Sequence, residues 1–149
     1  MKIETPKSMK LEHKELHAEL EKATKEPGEI GKAAKKVAKV LHTHFVSEEE
    51  YAMPPLGLLN QISSGNLSRE MSEVIKMTEK LKSNLPQMLA EHMEIVKALN
   101  ELETASSNEN RLEYVHFCEK LKLHAETEEE VMYPASILVG EYIKDKFPQ

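Results

Sequence analysis

The chain has 149 residues, a formal net charge of −6 and no block of basic residues, which excludes nucleic-acid binding as its main function. Aromatic residues make up only 5% and tryptophan is absent, so the composition favours helices over strands. The single cysteine cannot form an internal disulfide, and there is neither an apolar signal region nor an apolar run of about 18 residues. We therefore expect one cytoplasmic domain over residues 1–149, with no membrane and no nucleic-acid partner.

Apolar residues recur at helical spacing along most of the chain, interrupted by proline, glycine and serine. In chain order, the spacing predicts a helix over 8–25, a helix from 30 up to Pro54, a loop over 57–66, a helix over 67–82, a helix over 88–102, a last long helix that ends at Pro134, and a tail helix over 137–143. Pro86 predicts a cap or a kink, and Ser106 with Glu109 matches a capping box that would open the last long helix.

The lengths of the connections predict how these helices are arranged. Short loops join the first helix to the second and the third to the fourth, which makes each pair antiparallel neighbours. The connection between the second and third helices is long and contains the helix over 67–82. The sequence therefore predicts an all-α fold, namely an up-and-down four-helix bundle with an inserted helix between helices 2 and 3 and a short C-terminal helix.

One pattern of histidine and glutamate occurs twice in the chain. The repeated residues are Glu12, His13, His44 and Glu48 in the first half and Glu91, His92, His124 and Glu128 in the second half. The lone histidines are 79 positions apart and the His-x-x-x-Glu units are 80 apart, and each unit is followed by a run of glutamates and a proline. A duplicated set of four imidazoles and two carboxylates is a ligand set for two metal ions.

Helical spacing predicts that these side chains point into the core. Residues four apart stack on one helix face, so His44 lies above Glu48, in line with the apolar stripe of its helix. Buried polar groups need hydrogen-bond partners or a cation, and two facing carboxylates repel unless a metal lies between them. A set without thiolate argues against a structural zinc site, and the order His-x-x-x-Glu differs from the Glu-x-x-His of ferritin-like proteins. Cys118 is expected to be a small buried residue.

With these motifs the chain resembles the hemerythrin-like family, also described as the His-His-Glu cation-binding domains. The resemblance covers nearly the whole chain, and all four motifs occur in the family's order. It implies an up-and-down four-helix bundle around a non-haem di-iron centre with an oxo or hydroxo bridge and an open position for dioxygen or a related small ligand. The implied ligands are His13 and His44 for one iron, His92 and His124 for the other, and Glu48 and Glu128 as bridging carboxylates.

The chain departs from the family pattern at one position. Oxygen-carrying hemerythrins have a second histidine one turn after the ligand on the third helix, and here that position is Val96. His17 lies one turn after His13, at the pseudo-symmetric position, and we hypothesise that it supplies a fifth histidine ligand. A bridging carboxylate five residues after its histidine is also common in the family, which makes Glu129 an alternative to Glu128.

Three functions fit such a centre. The first is reversible binding of dioxygen, or of a related diatomic molecule, for sensing, storage or delivery. The second is a di-iron enzyme that acts on peroxide or nitric oxide or repairs iron centres. The third is an iron sensor or buffer in which metal loading orders the bundle. The sequence leaves open the choice among them, the native metal, the protein partner and the oligomeric state.

Overall fold

The computed structural model describes residues 1–149 and consists of helices without strands, which confirms the all-α prediction. The α-helices are α1 (Lys7–Thr24), α2 (Gly28–Ser47), α3 (Leu59–Ser63), α4 (Val74–Asn108), α5 (Leu112–Thr127) and α6 (Tyr133–Lys146). Two π-helical turns cover Glu48–Ala52 and Glu128–Met132, and two 3-10 turns cover Pro54–Leu58 and Arg69–Glu73. None of the helices is both long enough and apolar enough to cross a membrane.

Four helices pack in a closed ring. Helix α1 contacts α2 and α5, and α4 contacts the same two helices from the other side. The largest hydrophobic cluster lies inside this ring and takes 17 buried residues from all four helices. Three-residue connections join α1 to α2 and α4 to α5, as expected for antiparallel neighbours, and Arg111 in one connection donates hydrogen bonds of 2.6 and 3.1 Å to Glu26 in the other. The ring therefore holds the inward faces of four helices around one interior.

The third long helix differs from its prediction. The segments over 67–82 and 88–102 are not separate helices, because α4 runs unbroken from Val74 to Asn108 with Pro86 inside it. Proline removes one backbone hydrogen bond from a helix interior. Leu81 and Met88 lie two turns apart, on either side of that proline, and are both buried in one hydrophobic cluster. Packing of this shared face offsets the lost bond and keeps the helix continuous.

The start of α5 also differs from its prediction. Ser106 does not open a helix but lies in the last turn of α4, where its hydroxyl is buried without a hydrogen-bond partner. Asn110 adopts the left-handed conformation, with φ of 57°, and the Arg111 amide donates to the Ser106 carbonyl at 2.9 Å. Asparagine tolerates this conformation and commonly ends helices. A C-terminal turn at Asn110 thus separates the two helices, and α5 begins at Leu112.

The segments that lead to Pro54 and to Pro134 have the same local backbone structure. The amides of Met53 and Tyr133, each just before a proline, donate to the carbonyls of Glu48 and Glu128 five residues earlier. Such i→i+5 bonds define a π-turn, and π-turns inside α-helices are frequent at functional sites. Helical backbone angles continue from Thr127 through Tyr133, so the last helix does not end at Pro134 but passes through the π-turn into α6. The sequence repeat is therefore also a repeat of local structure.

Helices α4 and α6 approach each other closely at Gly140. A Cβ atom at this position would lie 1.9 Å from Oγ1 of Thr78, whose short side chain is itself buried. We expect Gly140→Ala to lower the free energy of unfolding by about 1–3 kcal/mol, because overpacking exceeds the helix propensity gained from alanine. Leu138→Ala, at an exposed position of the same helix, is the control and should change it by less than about 0.5 kcal/mol. Urea denaturation followed by circular dichroism measures both, and equal stabilities would contradict the tight contact.

Cys118 is fully buried in the core, as expected, and burial raises the pKa of its thiol to about 12. The thiolate is the reactive form, so folding protects this residue both sterically and chemically. At pH 8 we expect iodoacetamide to alkylate the native protein at least about 100-fold more slowly than the urea-unfolded chain. Mass spectrometry of timed samples measures both rates. Comparable rates would mean that the core around Cys118 opens readily.

Candidate metal centre

Six of the seven predicted ligand side chains meet inside the helix ring. Each long helix contributes one histidine, and each π-turn contributes its first glutamate, so the six are His13, His44, Glu48, His92, His124 and Glu128. All six are buried, and none is more than 8% exposed. The histidines lie on the apolar stripes of their helices, which explains why packing of the core also carries them inward.

The first group of ligand atoms comes from α2, α4 and the two π-turns. Nε2 of His44 and Nε2 of His92 are only 2.7 Å apart. Nε2 of His44 lies 3.4 Å from Oε2 of Glu48, and Nε2 of His92 lies 3.1 Å from Oε1 of Glu128. One ligand atom from each of these four residues lies within 4.8 Å of the others, so the group can hold a metal ion.

The second group lies beside the first and uses the other oxygens of the same carboxylates. Nε2 of His13 and Nε2 of His124 are 3.3 Å apart, and Oε2 of Glu128 is 3.1 Å from the latter. Oε2 of Glu128 and Oε1 of Glu48 lie 3.8 and 3.9 Å from Nε2 of His13. Each carboxylate therefore directs one oxygen toward each group of histidines.

The histidines are paired differently from the arrangement that the resemblance implies. His44 meets His92 and His13 meets His124, whereas His13 with His44, and His92 with His124, were expected. The expectation kept the ligands of one ion within one helical hairpin. In the ring, each helix contacts one helix of its own half and one of the other half, and the imidazoles meet across the contacts between the halves.

Three of the four imidazoles are oriented by carboxylates outside the cluster, each by a different glutamate. Nδ1 of His44 donates to Glu91 at 2.8 Å, Nδ1 of His92 donates to Glu129 at 3.0 Å, and Nδ1 of His124 contacts Glu12. Such partners fix the tautomer of metal-binding histidines and increase their basicity. When Nδ1 carries the proton, Nε2 of a neutral imidazole presents a lone pair. The two lone pairs of His44 and His92 then face each other and require a proton or a cation between them.

These contacts explain why the sequence repeat includes glutamates that lie outside the cluster. Glu12 and Glu91 precede the lone histidines, and each reaches the histidine of the other half's His-x-x-x-Glu unit. The sequence pattern contains both residues at matched positions but does not by itself assign them a role. Glu129, the alternative bridge, lies outside the cluster on His92, whereas Glu128 occupies the position between the two groups.

The structure does not bring His17 to the other six residues. Its side chain is exposed, and its ring packs edge-on against Phe45 with centroids 4.6 Å apart. Partial burial and the neighbouring His13 lower the pKa of His17, which keeps it neutral near pH 7. Phe45 also stacks on His13, with centroids 4.5 Å apart and an interplanar angle of 11°. His17 thus lies beyond Phe45 and His13, at the rim of the site.

The electrostatics of the cluster favour added positive charge. Burial and the facing Glu128 carboxylate raise the pKa of Glu48. Burial also opposes the ionised form of Glu128, but the adjacent Glu48 carboxyl and the nearby imidazoles of His124, His13 and His92 outweigh it and hold the pKa of Glu128 well below its usual range. For His44, burial lowers the pKa, yet the carboxylates of Glu48 and Glu91 raise it to about 9. Without an ion, protons must therefore supply the positive charge that two buried carboxylates demand.

Two carboxylate oxygens supply the sharpest test of whether a cation fits. Oε1 of Glu48 and Oε2 of Glu128 are buried and have no hydrogen-bond partner, since Nε2 of His124, 3.1 Å from the latter oxygen, is not aligned to donate to it. Leaving buried acceptors unsatisfied costs free energy, and such atoms call for an unseen partner. Both oxygens face His13, whose Nε2 is too distant to donate to either. A cation held by these oxygens, His13 and His124 would satisfy them, so the donor set fits a metal ion.

The sequence suggests Tyr133 as a residue that packs around the site or donates a hydrogen bond to a bound ligand, but it does not place Tyr133 among the ligand atoms. Its hydroxyl donates to Oε2 of Glu48 at 2.7 Å and lies 3.1 Å from Nε2 of both His44 and His92. The side chain is 1% exposed. In a regular α-helix, residues five apart point about 140° from each other, so helical spacing predicts that Tyr133 points away from Glu128. The π-turn changes that register and aims the phenol at the cluster.

A surface cavity leads to one side of the cluster. Its volume is about 480 Å³, and its lining includes His13, His17, Met53, Lys10, Lys14 and Glu49. Of the six clustered residues, only His13 lines this cavity. The second group of ligand atoms therefore lies next to a space that a small molecule can enter.

Comparison of the chain with protein-family models, with curated proteins and with solved structures finds no match. The function of the site must therefore be argued from its own geometry.

The outer carboxylates can be tested separately from the ligands. We expect Glu91→Gln to weaken binding of a divalent transition-metal ion by about 10-fold or more, because a neutral amide orients and polarises His44 less than a carboxylate does. Glu94→Gln, on an exposed position of the same helix, is the matched control and should leave the affinity unchanged. Anaerobic competition with a chromophoric chelator measures the affinities. Equal affinities for the two variants would show that Glu91 has no role in metal binding.

Proposed function

We propose that this protein belongs to the hemerythrin-like family, that its ring is an up-and-down bundle around a di-iron centre, and that it reversibly binds dioxygen or a related diatomic molecule in the cytoplasm. The observation that carries the proposal is that Glu48 and Glu128 each direct one oxygen to each of two histidine pairs. Two carboxylates shared between two sets of imidazoles are what a pair of bridged ions requires.

The number of ligand atoms supports two ions rather than one. A single ion would bind the Nε2 atoms of only one histidine pair and would leave the Nε2 atoms of the other buried pair without a metal partner. With two ions, one would be held by His44, His92 and one oxygen of each carboxylate. The other would be held by His13, His124 and Oε2 of Glu128, with Oε1 of Glu48 facing it, so both oxygens that have no hydrogen bond would gain a partner. Two divalent ions also supply the positive charge that the two carboxylates demand and replace the protons that the metal-free cluster must hold.

The types of ligand atom support iron. Imidazole and carboxylate together suit iron and other first-row ions, whereas thiolate, which favours structural zinc, is absent from the cluster. Cys118 lies in the hydrophobic cluster of the ring and not among the ligand atoms. When bound, a pair of ferrous ions supplies two electrons for the reduction of dioxygen, a capacity that zinc lacks.

The surroundings of the site support binding of a small molecule at the His13 side. The cavity lined by His13 and Met53 admits a ligand there, whereas Tyr133 occupies the space beside His44 and His92. Phe45 holds the His13 ring by stacking and, with Phe117 and Leu121, forms an apolar wall around the cluster. Apolar walls exclude water and protect a reactive centre from proton leakage.

The decisive experiment is elemental analysis combined with a visible spectrum. We expect protein purified anaerobically to contain about two iron ions per chain, to change its spectrum on exposure to air and to return on reduction. Glu128→Gln should lose most of the iron, whereas Glu130→Gln, at an exposed position two residues later, should retain it. Absence of bound iron would overturn the proposal.

Two other outcomes would indicate a different function. Steady turnover of peroxide or nitric oxide by the iron-loaded protein would indicate an enzyme instead. A large fall in thermal stability on chelation, with no spectral response to air, would indicate an iron sensor or buffer.

A further inference from the structure

We propose that Tyr133 is itself a metal ligand, and that its phenolate oxygen binds the ion held by His44 and His92. This inference rests on the proposed di-iron function and adds to it a seventh protein ligand, on one ion only. In the ferric state, a tyrosinate ligand gives that ion a strong charge-transfer band in the visible spectrum, which histidine and carboxylate ligands do not provide.

The position of the phenol oxygen carries the inference. It lies 2.7 Å from Oε2 of Glu48 and 3.1 Å from Nε2 of both His44 and His92. Two atoms that bind one ion at about 2.1 Å and at right angles lie about 3.0 Å apart. The phenol oxygen therefore has the spacing from three ligand atoms that a further ligand of the same ion would have.

A purely structural hydrogen bond does not account for this position. The hydroxyl has one proton, which it donates to Glu48. Its oxygen still faces the Nε2 atoms of His44 and His92, whose Nδ1 protons are engaged by Glu91 and Glu129. The two Nε2 atoms and the phenol oxygen thus lie within 3.1 Å of one another, and the phenol proton is not directed at either nitrogen. A cation among these three atoms would take the place of the proton that His44 and His92 share in the metal-free protein.

The backbone holds Tyr133 in place. It is the first residue of α6, its amide donates to the Glu128 carbonyl across the π-turn, and its ring packs in a buried cluster with Tyr51, Leu81 and Met88. The phenol carries its proton in the metal-free protein, where it donates to Glu48. On coordination the O–H bond breaks, an oxygen–metal bond forms and the proton passes to solvent. No oxidant or reductant is required.

The duplicated half of the chain shows that this ligand belongs to one ion only. Met53 occupies the position that corresponds to Tyr133, five residues after the carboxylate and just before the proline. Methionine offers a thioether, which hard and borderline iron does not prefer. Met53 also lines the cavity next to His13. Tyr133 therefore adds a protein ligand to one ion, whereas Met53 adds none to the other.

The test is the visible spectrum of the iron-loaded protein in the ferric state. Ferric phenolate gives a strong charge-transfer band, and resonance Raman excitation in that band enhances the ring modes of tyrosine. We expect the wild type to show both features and Tyr133→Phe to lose both while it still binds iron. Tyr51→Phe is the matched control, since Tyr51 is buried and its hydroxyl contacts Met88 at 3.6 Å, away from the ligand atoms. It should keep both features.

The outcomes separate this inference from the proposed function. Wild-type protein that binds no iron would overturn the function and, with it, the inference. Iron-loaded wild type without tyrosine ring modes, or Tyr133→Phe with an unchanged band, would overturn the inference alone. If Tyr133→Phe does not fold, as judged by circular dichroism, the wild type grown with ring-deuterated tyrosine replaces it. Enhanced modes that shift on deuteration and persist in Tyr51→Phe would support the inference, and modes that do not shift would overturn it.

Discussion

Two carboxylates face each other in the interior of the helix ring, and the rest of the site is arranged around that fact. Glu48 and Glu128 are at most 1% exposed, and each has an oxygen without a hydrogen-bond partner. Buried like charges this close are tolerated only with protons or cations beside them. Four imidazoles supply lone pairs at the same place, and glutamates on three of them keep those lone pairs directed inward. This part of the interior thus has the composition of a cation site, and it adjoins the hydrophobic cluster inside the same ring.

The π-turns position these carboxylates and the residue that follows them. Each begins at the glutamate of a His-x-x-x-Glu unit, and each ends just before a proline. Proline lacks an amide proton, and a π-turn transfers hydrogen bonding to the preceding amide, so that the helical path continues. The helix that carries His124 therefore extends through Tyr133 into α6, and α6 packs on α4 beside the site. Local backbone geometry and site chemistry depend on the same short segments.

Much of this arrangement could be predicted from the sequence, because helical spacing acts locally. His44 and Glu48 had to share a face, and the apolar stripe below them indicated that the face points inward. How the histidines pair could not be predicted, because it depends on which helices become neighbours in the ring. The role of Tyr133 was hidden because a π-turn, which the pattern does not reveal, changes the angle between residues. The continuity of α4 through Pro86 was hidden because it depends on packing of Leu81 and Met88.

The pairing of histidines between the halves has a consequence for the origin of the fold. Each group takes one histidine from the first hairpin and one from the second, and the two carboxylates between the groups also come one from each hairpin. A single hairpin with one half's residues would therefore carry only half of either histidine pair. Such a hairpin could build the whole cluster only by associating with a second copy of itself, as a symmetric dimer. Fusion of two copies into one chain would then have allowed the residues at positions 53 and 133 to differ, which makes the two groups of side chains chemically unequal.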